Sequence, residues 1–207
     1  MSTFTVDQIA RLREIECARV KRGGVGLHDT IKDLIARLES GGADSATSDD
    51  LRIRQAKRLW DLGWGHELKK FSFYEYMTSI PVIPEELVAD SKQFPDLILV
   101  DRRHPITLSC RLAGLRFDGD DNLFDDFDPK KTKAEAVYWM RAQDGRRNRG
   151  KSVASCRTSF EQGEVGLTDM EGIAFYAQRP EIADGHCLDL PGSVRRDNRG
   201  KAASLGS

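Results

Sequence analysis

Cysteine is scarce and scattered in this chain. Cys17, Cys110, Cys156 and Cys187 are the only four in 207 residues, and no two form a C-x-x-C pair. In a chain long enough to bury its own core, that speaks against a disulfide framework and for reduced thiols, with Cys156 and Cys187 expected inside. Histidine is equally sparse. His28, His66, His104 and His186 make no pair at metal-ligand spacing, so neither a metal site nor a cofactor is expected. No apolar run approaches the roughly 18 residues that a membrane span requires. The opening MSTFTVDQIARLREIE has no apolar stretch of the kind that directs secretion. A soluble cytoplasmic protein without a membrane partner is the expectation. Net charge is nearly absent too, at −1, which argues against a surface tuned as a whole for nucleic acid or membrane.

That near-neutrality conceals a strong local pattern. Residues 1–80 carry a net +1, residues 81–128 a net −6, residues 129–160 a net +7 and residues 161–207 a net −3. An acidic block followed directly by a basic one points to surfaces that meet a charged partner, or each other.

Hydrophobic periodicity defines the fold class as α+β. Val6, Ile9, Leu12 and Val20, behind a Thr5/Gln8 capping box, predict a first helix ending at Gly23 and Gly24. Leu27, Ile31, Leu34, Ile35 and Leu38 predict a second, ending at Gly41 and Gly42. Ser48 is the expected N-cap of a third, with Asp49 and Asp50 suited to its first turn, and Leu51, Leu59 and Leu62 as its stripe. Beyond residue 80, prolines at 81, 84 and 95 change the texture. DLILV at 96–100 and AVYWM at 136–140 read as short strands, and residues 108–117 as a strand or short helix. A helix is expected near Ser152 and another behind a Thr168/Glu171 capping box, stopping before Pro180. A last strand is expected at 186–190. The organisation expected is a helical bundle region at 1–80, a mixed α/β region at 81–192, and a flexible basic tail at 193–207.

Within residues 137–193, the stretches VYWMRAQDG, KSVASCRTSF, GLTDMEGIAFYAQRPE and DLPGS resemble an uncharacterised bacterial protein family with no activity attached. The resemblance spans roughly a quarter of the chain and carries no functional residue with it.

Residues 145–152, GRRNRGKS, satisfy the phosphate-loop pattern G-x-x-x-x-G-K-S/T. That chemistry needs a strand, a loop of inward-facing N–H groups and a helix whose N-terminus faces the phosphates. Three arginines crowd a loop where small residues usually let the backbone wrap. No apolar strand ending in Asp follows to hold magnesium. The pattern is therefore expected to be a Gly-bounded basic loop. A nucleotide-dependent or hydrolytic enzyme is the alternative reading of the chain.

The same stretch belongs to a dense run of cations among which Tyr138 and Trp139 are interleaved. Arg146, Arg147, Arg149, Lys151 and Arg157 are the candidate nucleic-acid contacts. The competing reading is a solvated loop neutralised by the acidic block beside it. In that block, residues 118–128 (DGDDNLFDDFD) fail the EF-hand test, because the sixth and twelfth positions are Leu123 and Pro129. An exposed acidic loop pinned by Phe117, Leu123, Phe124 and Phe127 is expected. Cys156, His186 and Asp189 can be drawn as a nucleophilic triad, but buried thiols are the simpler fate. The function expected is that of a non-enzymatic binding or adaptor protein whose charged surfaces contact a macromolecule, nucleic acid or protein.

Overall fold

A computed structural model describes residues 48–89, 91–128, 135–161, 163–184, 187–198 and 201–205. All belong to the second of the two units into which the chain divides, Thr47–Ser207. The two helices expected before residue 42 lie outside the described residues.

The fold is α+β, with seven α-helices and six short strands among the described residues. In chain order these are α1 (Ser48–Asp61), α2 (Trp64–Glu67), α3 (Phe73–Thr78), α4 (Glu85–Val88), β1 (Asp96–Asp101), α5 (Ile106–Ala113), β2 (Phe124–Asp126), β3 (Val137–Ala142), α6 (Val153–Thr158), α7 (Asp169–Gln178), β4 (Leu188–Leu190), β5 (Ser193–Arg195) and β6 (Ala203–Leu205). No helix among the described residues is long and apolar enough to cross a membrane.

The strands form three antiparallel pairs, β1 with β3, β2 with β5 and β4 with β6. The longest, β1–β3, runs from Asp96 opposite Ala142 to Asp101 opposite Val137. Ile98, Leu99, Val100 and Trp139 are almost completely buried in it. A two-stranded ladder leaves one edge of β1 open, and such an edge is a liability unless something covers it. Gln55 of α1 supplies the cover. Its Nε2 donates to the Leu97 carbonyl at 2.6 Å and its Oε1 accepts from the Leu99 N–H at 2.7 Å, in place of a neighbouring strand. Arg52 of the same helix donates to the Ile80 carbonyl at 2.6 Å, and Arg58 to the Ala177 carbonyl. Helix α1 thus shares a core with residues on both sides of Pro81.

Helix α7 packs against β1, α1 and α5. Its Thr168/Glu171 capping box forms as the sequence predicts, and it ends at Gln178, before Pro180. Its buried side chains lie all round the helix, as befits one enclosed by packing partners. Residues 108–117 supply helix α5 and not a strand, and Phe73–Thr78 is helical behind the cap of Ser72.

The tail departs from expectation. Residues 193–195 and 203–205 are strands, and Ser193, Val194, Ala203 and Leu205 are buried. Local composition there is polar. The segment is held by pairing of β5 with β2, about 70 residues away, and of β6 with β4, and composition within the segment reports neither partner.

Asp169, in the first turn of α7, sits among charged groups. Burial raises its carboxyl above the ordinary 3.8, and the charge of Asp126 adds to this. The Met170 N–H, Ser193 and the positive charge of Arg102 pull the other way without cancelling it. The same carboxylate, after burial itself, helps push the Cys110 thiol up to about 12. A folded-state pKa above the unfolded one contributes stability that is complete below the unfolded value and lost as pH rises through the folded value. Asp169→Asn, which keeps an acceptor oxygen and removes the charge, should therefore stabilise the protein at neutral pH. Urea denaturation at neutral pH and below about pH 4 should show that gain closing with acid. A gain that grew with acid would contradict the assignment.

Candidate nucleic-acid interface

Strand β3 ends at Ala142, and Gly145, at φ 79°, turns the chain into a single turn of 3-10 helix, Arg146–Asn148. Gly150, at φ 80°, reverses it again, with open space where a side chain would stand. Ser152 then caps α6, its Oγ accepting from the Ser155 N–H at 3.1 Å. Two left-handed glycines thus bound a loop on which Arg146, Arg147 and Arg149 are exposed, and Lys151 is exposed just beyond it.

The loop does not have the geometry that cradles a phosphate. Four of its N–H groups are spent on the loop itself: Arg146 N–H on the Asp144 carboxylate, Asn148 N–H on the Gly145 carbonyl, Arg149 N–H on the Arg146 carbonyl and Lys151 N–H on the Asn148 carbonyl. The preceding strand is antiparallel to its one partner, and the following helix has six residues. Lys151 Nζ turns back to Asn148 Oδ1 at 3.0 Å. The loop folds on its own backbone, so these N–H groups are not turned toward a phosphate.

The five candidate cations meet different fates. Arg147 forms an ion pair with Glu164, whose side chain is 2% exposed, and a longer one of 3.6 Å with Glu161. The hydrogen bond that Arg147 donates to Glu164 raises the Arg147 pKa. Burial alone would raise the Glu164 carboxyl, but the Glu161 N–H, Arg147 and, more weakly, Lys151 bring it below its ordinary value. Arg157 lies half-buried at the end of α6. Its Nε donates to the Pro191 carbonyl at 2.8 Å and its Nη2 to the Ser193 carbonyl at 3.0 Å. Its guanidinium covers the Phe127 ring at 3.9 Å. Arg146, Arg149 and Lys151 remain with their charge toward solvent, Arg146 bridging only to Asp144 beside it. A further cation of the basic block, Arg141, is also structural. It donates to the carbonyls of Leu87 and Phe94 and holds the α4 segment against β3.

The acidic run makes its own contacts. Asp121 accepts from the Thr107 N–H and hydroxyl at 2.9 and 2.6 Å, at the start of α5. Asp118 pairs with Arg116 and Asp125 with Arg196. The carboxylates that meet Arg146 and Arg147 are Asp144, Glu161 and Glu164, all outside residues 118–128. Phe117 and Phe124 pack together as expected, with ring centroids 6.4 Å apart, but Phe127 is 52% exposed. No group of three or more His, Cys, Asp or Glu among the described residues is placed to hold a metal ion.

The drawn triad is not assembled by the described residues. Cys156 is buried in α6, Asp189 is exposed on β4, and His186 lies outside the described residues. Cys187 is exposed and not in the core, because it precedes the β4 residues that pack inward. What the sequence does not reveal is a small pocket of about 80 Å³ lined by Phe127, Arg157, Phe160, Val165, Thr168 and Glu171, closed by the Pro191–Gly192 turn. Its walls come from segments far apart in the chain, and of them only Arg157 was a candidate contact residue beforehand.

No protein-family model matches the chain, and no curated protein or solved structure is significantly similar to it.

Proposed function

We propose that this chain is a non-enzymatic binding protein whose loop at 145–151 contacts a polyanion, most directly nucleic acid. The observation that carries the reading is the exposure of Arg146 and Arg149 between two left-handed glycines and of Lys151 directly after the second, once the other cations have been taken up internally. Phosphates attract such a surface without regard to sequence, through release of condensed counterions. The charge of the basic block overstates it. Arg147 is matched by Glu161 and Glu164, and Arg141 and Arg157 are held by backbone carbonyls.

Three phosphate contacts on a single strand give log K against log salt a slope of about −2. Electrophoretic shift titrations at two salt concentrations measure it. Arg149→Ala and Lys151→Ala should each weaken binding on all sequences alike and flatten the slope by about 0.7. Arg157→Ala should leave the slope unchanged and lower the urea midpoint, because two carbonyls lose their donor. Absence of any shift at low salt with micromolar protein would end the nucleic-acid reading.

A further inference from the structure

Phe127 is one of few large apolar side chains left in water among the described residues, and its surroundings are unlike those of a stray surface residue. Val165, on the rim of the same pocket, is 47% exposed beside it. The Arg157 guanidinium lies 3.9 Å from the ring centroid. Both partners are tied to one turn. The Phe127 N–H donates to the Gly192 carbonyl at 2.7 Å, and Arg157 donates to the carbonyls of Pro191 and Ser193 on either side. Ring and guanidinium are thus held in register before any ligand arrives, so binding does not have to order them.

We propose that Phe127, backed by Arg157, is a stacking platform for an unpaired base, which makes the polyanion a single-stranded nucleic acid. The inference rests on the phosphate-contacting role of the loop at 145–151. Arg157 stands five residues along α6 from its cap, Ser152, about 7–8 Å at the helical rise. The loop thus leads directly into the short helix that holds Arg157 against the ring, which puts the phosphate contacts and the platform on consecutive elements of the chain. Proteins that grip single strands combine such a basic track with aromatic faces on which bases stack, and a cation against the ring adds to the attraction. Asp126 and Asp128 flank Phe127 and disfavour a phosphate there. A base is uncharged, so these carboxylates direct the backbone toward the loop and leave the ring to the base. A duplex offers no free base face, and gains nothing from the platform.

The test compares a labelled oligothymidylate with a duplex of equal length, using the full chain. Phe127→Ala should weaken single-strand binding about tenfold, the effect of one lost stacked base, with the salt slope unchanged. Phe127→Leu should lose as much, since it keeps the apolar bulk but has no π face, and Phe127→Trp should retain affinity. Duplex binding should be indifferent to all three. Wild-type affinity in Phe127→Leu would overturn the platform. So would equal loss on single strand and duplex, and in either case the loop's slope effects stand. Failure of the wild type to bind any nucleic acid would overturn both readings, which separates the two failures.

Discussion

Asp101→Ala should destabilise the protein by about 3–5 kcal/mol, the cost of removing one member of a buried ion pair. The Asp101 side chain is wholly inaccessible at the end of β1, and that of Arg103 is 19% exposed. The carboxylate accepts from Arg103 Nε at 2.8 Å, Arg103 Nη2 at 2.6 Å and the Tyr76 hydroxyl at 2.9 Å. Arg103 also donates from Nη1 to Ser79 Oγ at 2.8 Å and lies over the Tyr76 ring. One carboxylate thereby ties β1 to α3 and to the turn that follows it. Burial alone would lower the Arg103 pKa, but the hydrogen bonds and charge of Asp101 raise it. Burial raises the Tyr76 hydroxyl, and the same carboxylate adds to the shift. Removing Asp101 strands a guanidinium and a phenol, both cut off from most of the water that would solvate them. Tyr76→Phe removes one neutral donor and should cost only about 1 kcal/mol. Urea titrations of the two variants decide the matter. Equal losses would mean that Arg103 swings into solvent and the network holds little.

The parts of this fold that were legible in the sequence are those whose cause is local. Thr168 and Glu171 announce a helix because the bonds they make lie within one turn of each other. DLILV announces β1 because both faces of that strand are buried from Ile98 on, so Leu97 to Val100 are all apolar. Of the three-residue strands only β4 was expected, within 186–190, and β2, β5 and β6 had no such signal. SVR at 193–195 and ASL at 203–205 are too short for alternation to show, and their partners lie up to 71 residues away in the ladder of Phe124 with Arg195. The candidate interface was misjudged for a related reason. Charge counted along a chain registers Arg147, Arg149 and Arg157 alike, but Glu164, solvent and the Pro191 carbonyl receive them in space. Phe127 was expected to pin the acidic loop from below, and only its neighbours do so.

Gly192→Ala is expected to cost about 3 kcal/mol or more, at the upper end of what overpacking does. The chain at 166–167 crosses the turn at 191–192 backbone to backbone, with the Gly192 N–H on the Leu167 carbonyl at 2.8 Å. A Cβ on Gly192 would stand 2.2 Å from the Gly166 oxygen and 2.7 Å from the Leu167 carbonyl carbon. One on Gly166 would stand 2.6 Å from the Gly192 nitrogen. These obstacles are main chain and cannot rotate away, so two segments must separate. The turn they hold also receives Arg157, the Phe127 N–H and, through Ser193 Oγ at 2.7 Å, the Asp169 N–H at the start of α7. Separation therefore loosens the pocket and the α7 cap together. Gly172→Ala is the control. There a Cβ meets the buried Leu190 side chain at 2.4 Å, which can shift rotamer, for about 1–3 kcal/mol. Urea midpoints should rank Gly192→Ala as the more damaging, and it should also weaken single-strand binding as Phe127→Ala does. If Gly172→Ala proved the worse of the two, the crossing at 166–192 would be a loose contact and the turn would need some other support for its hold on Arg157.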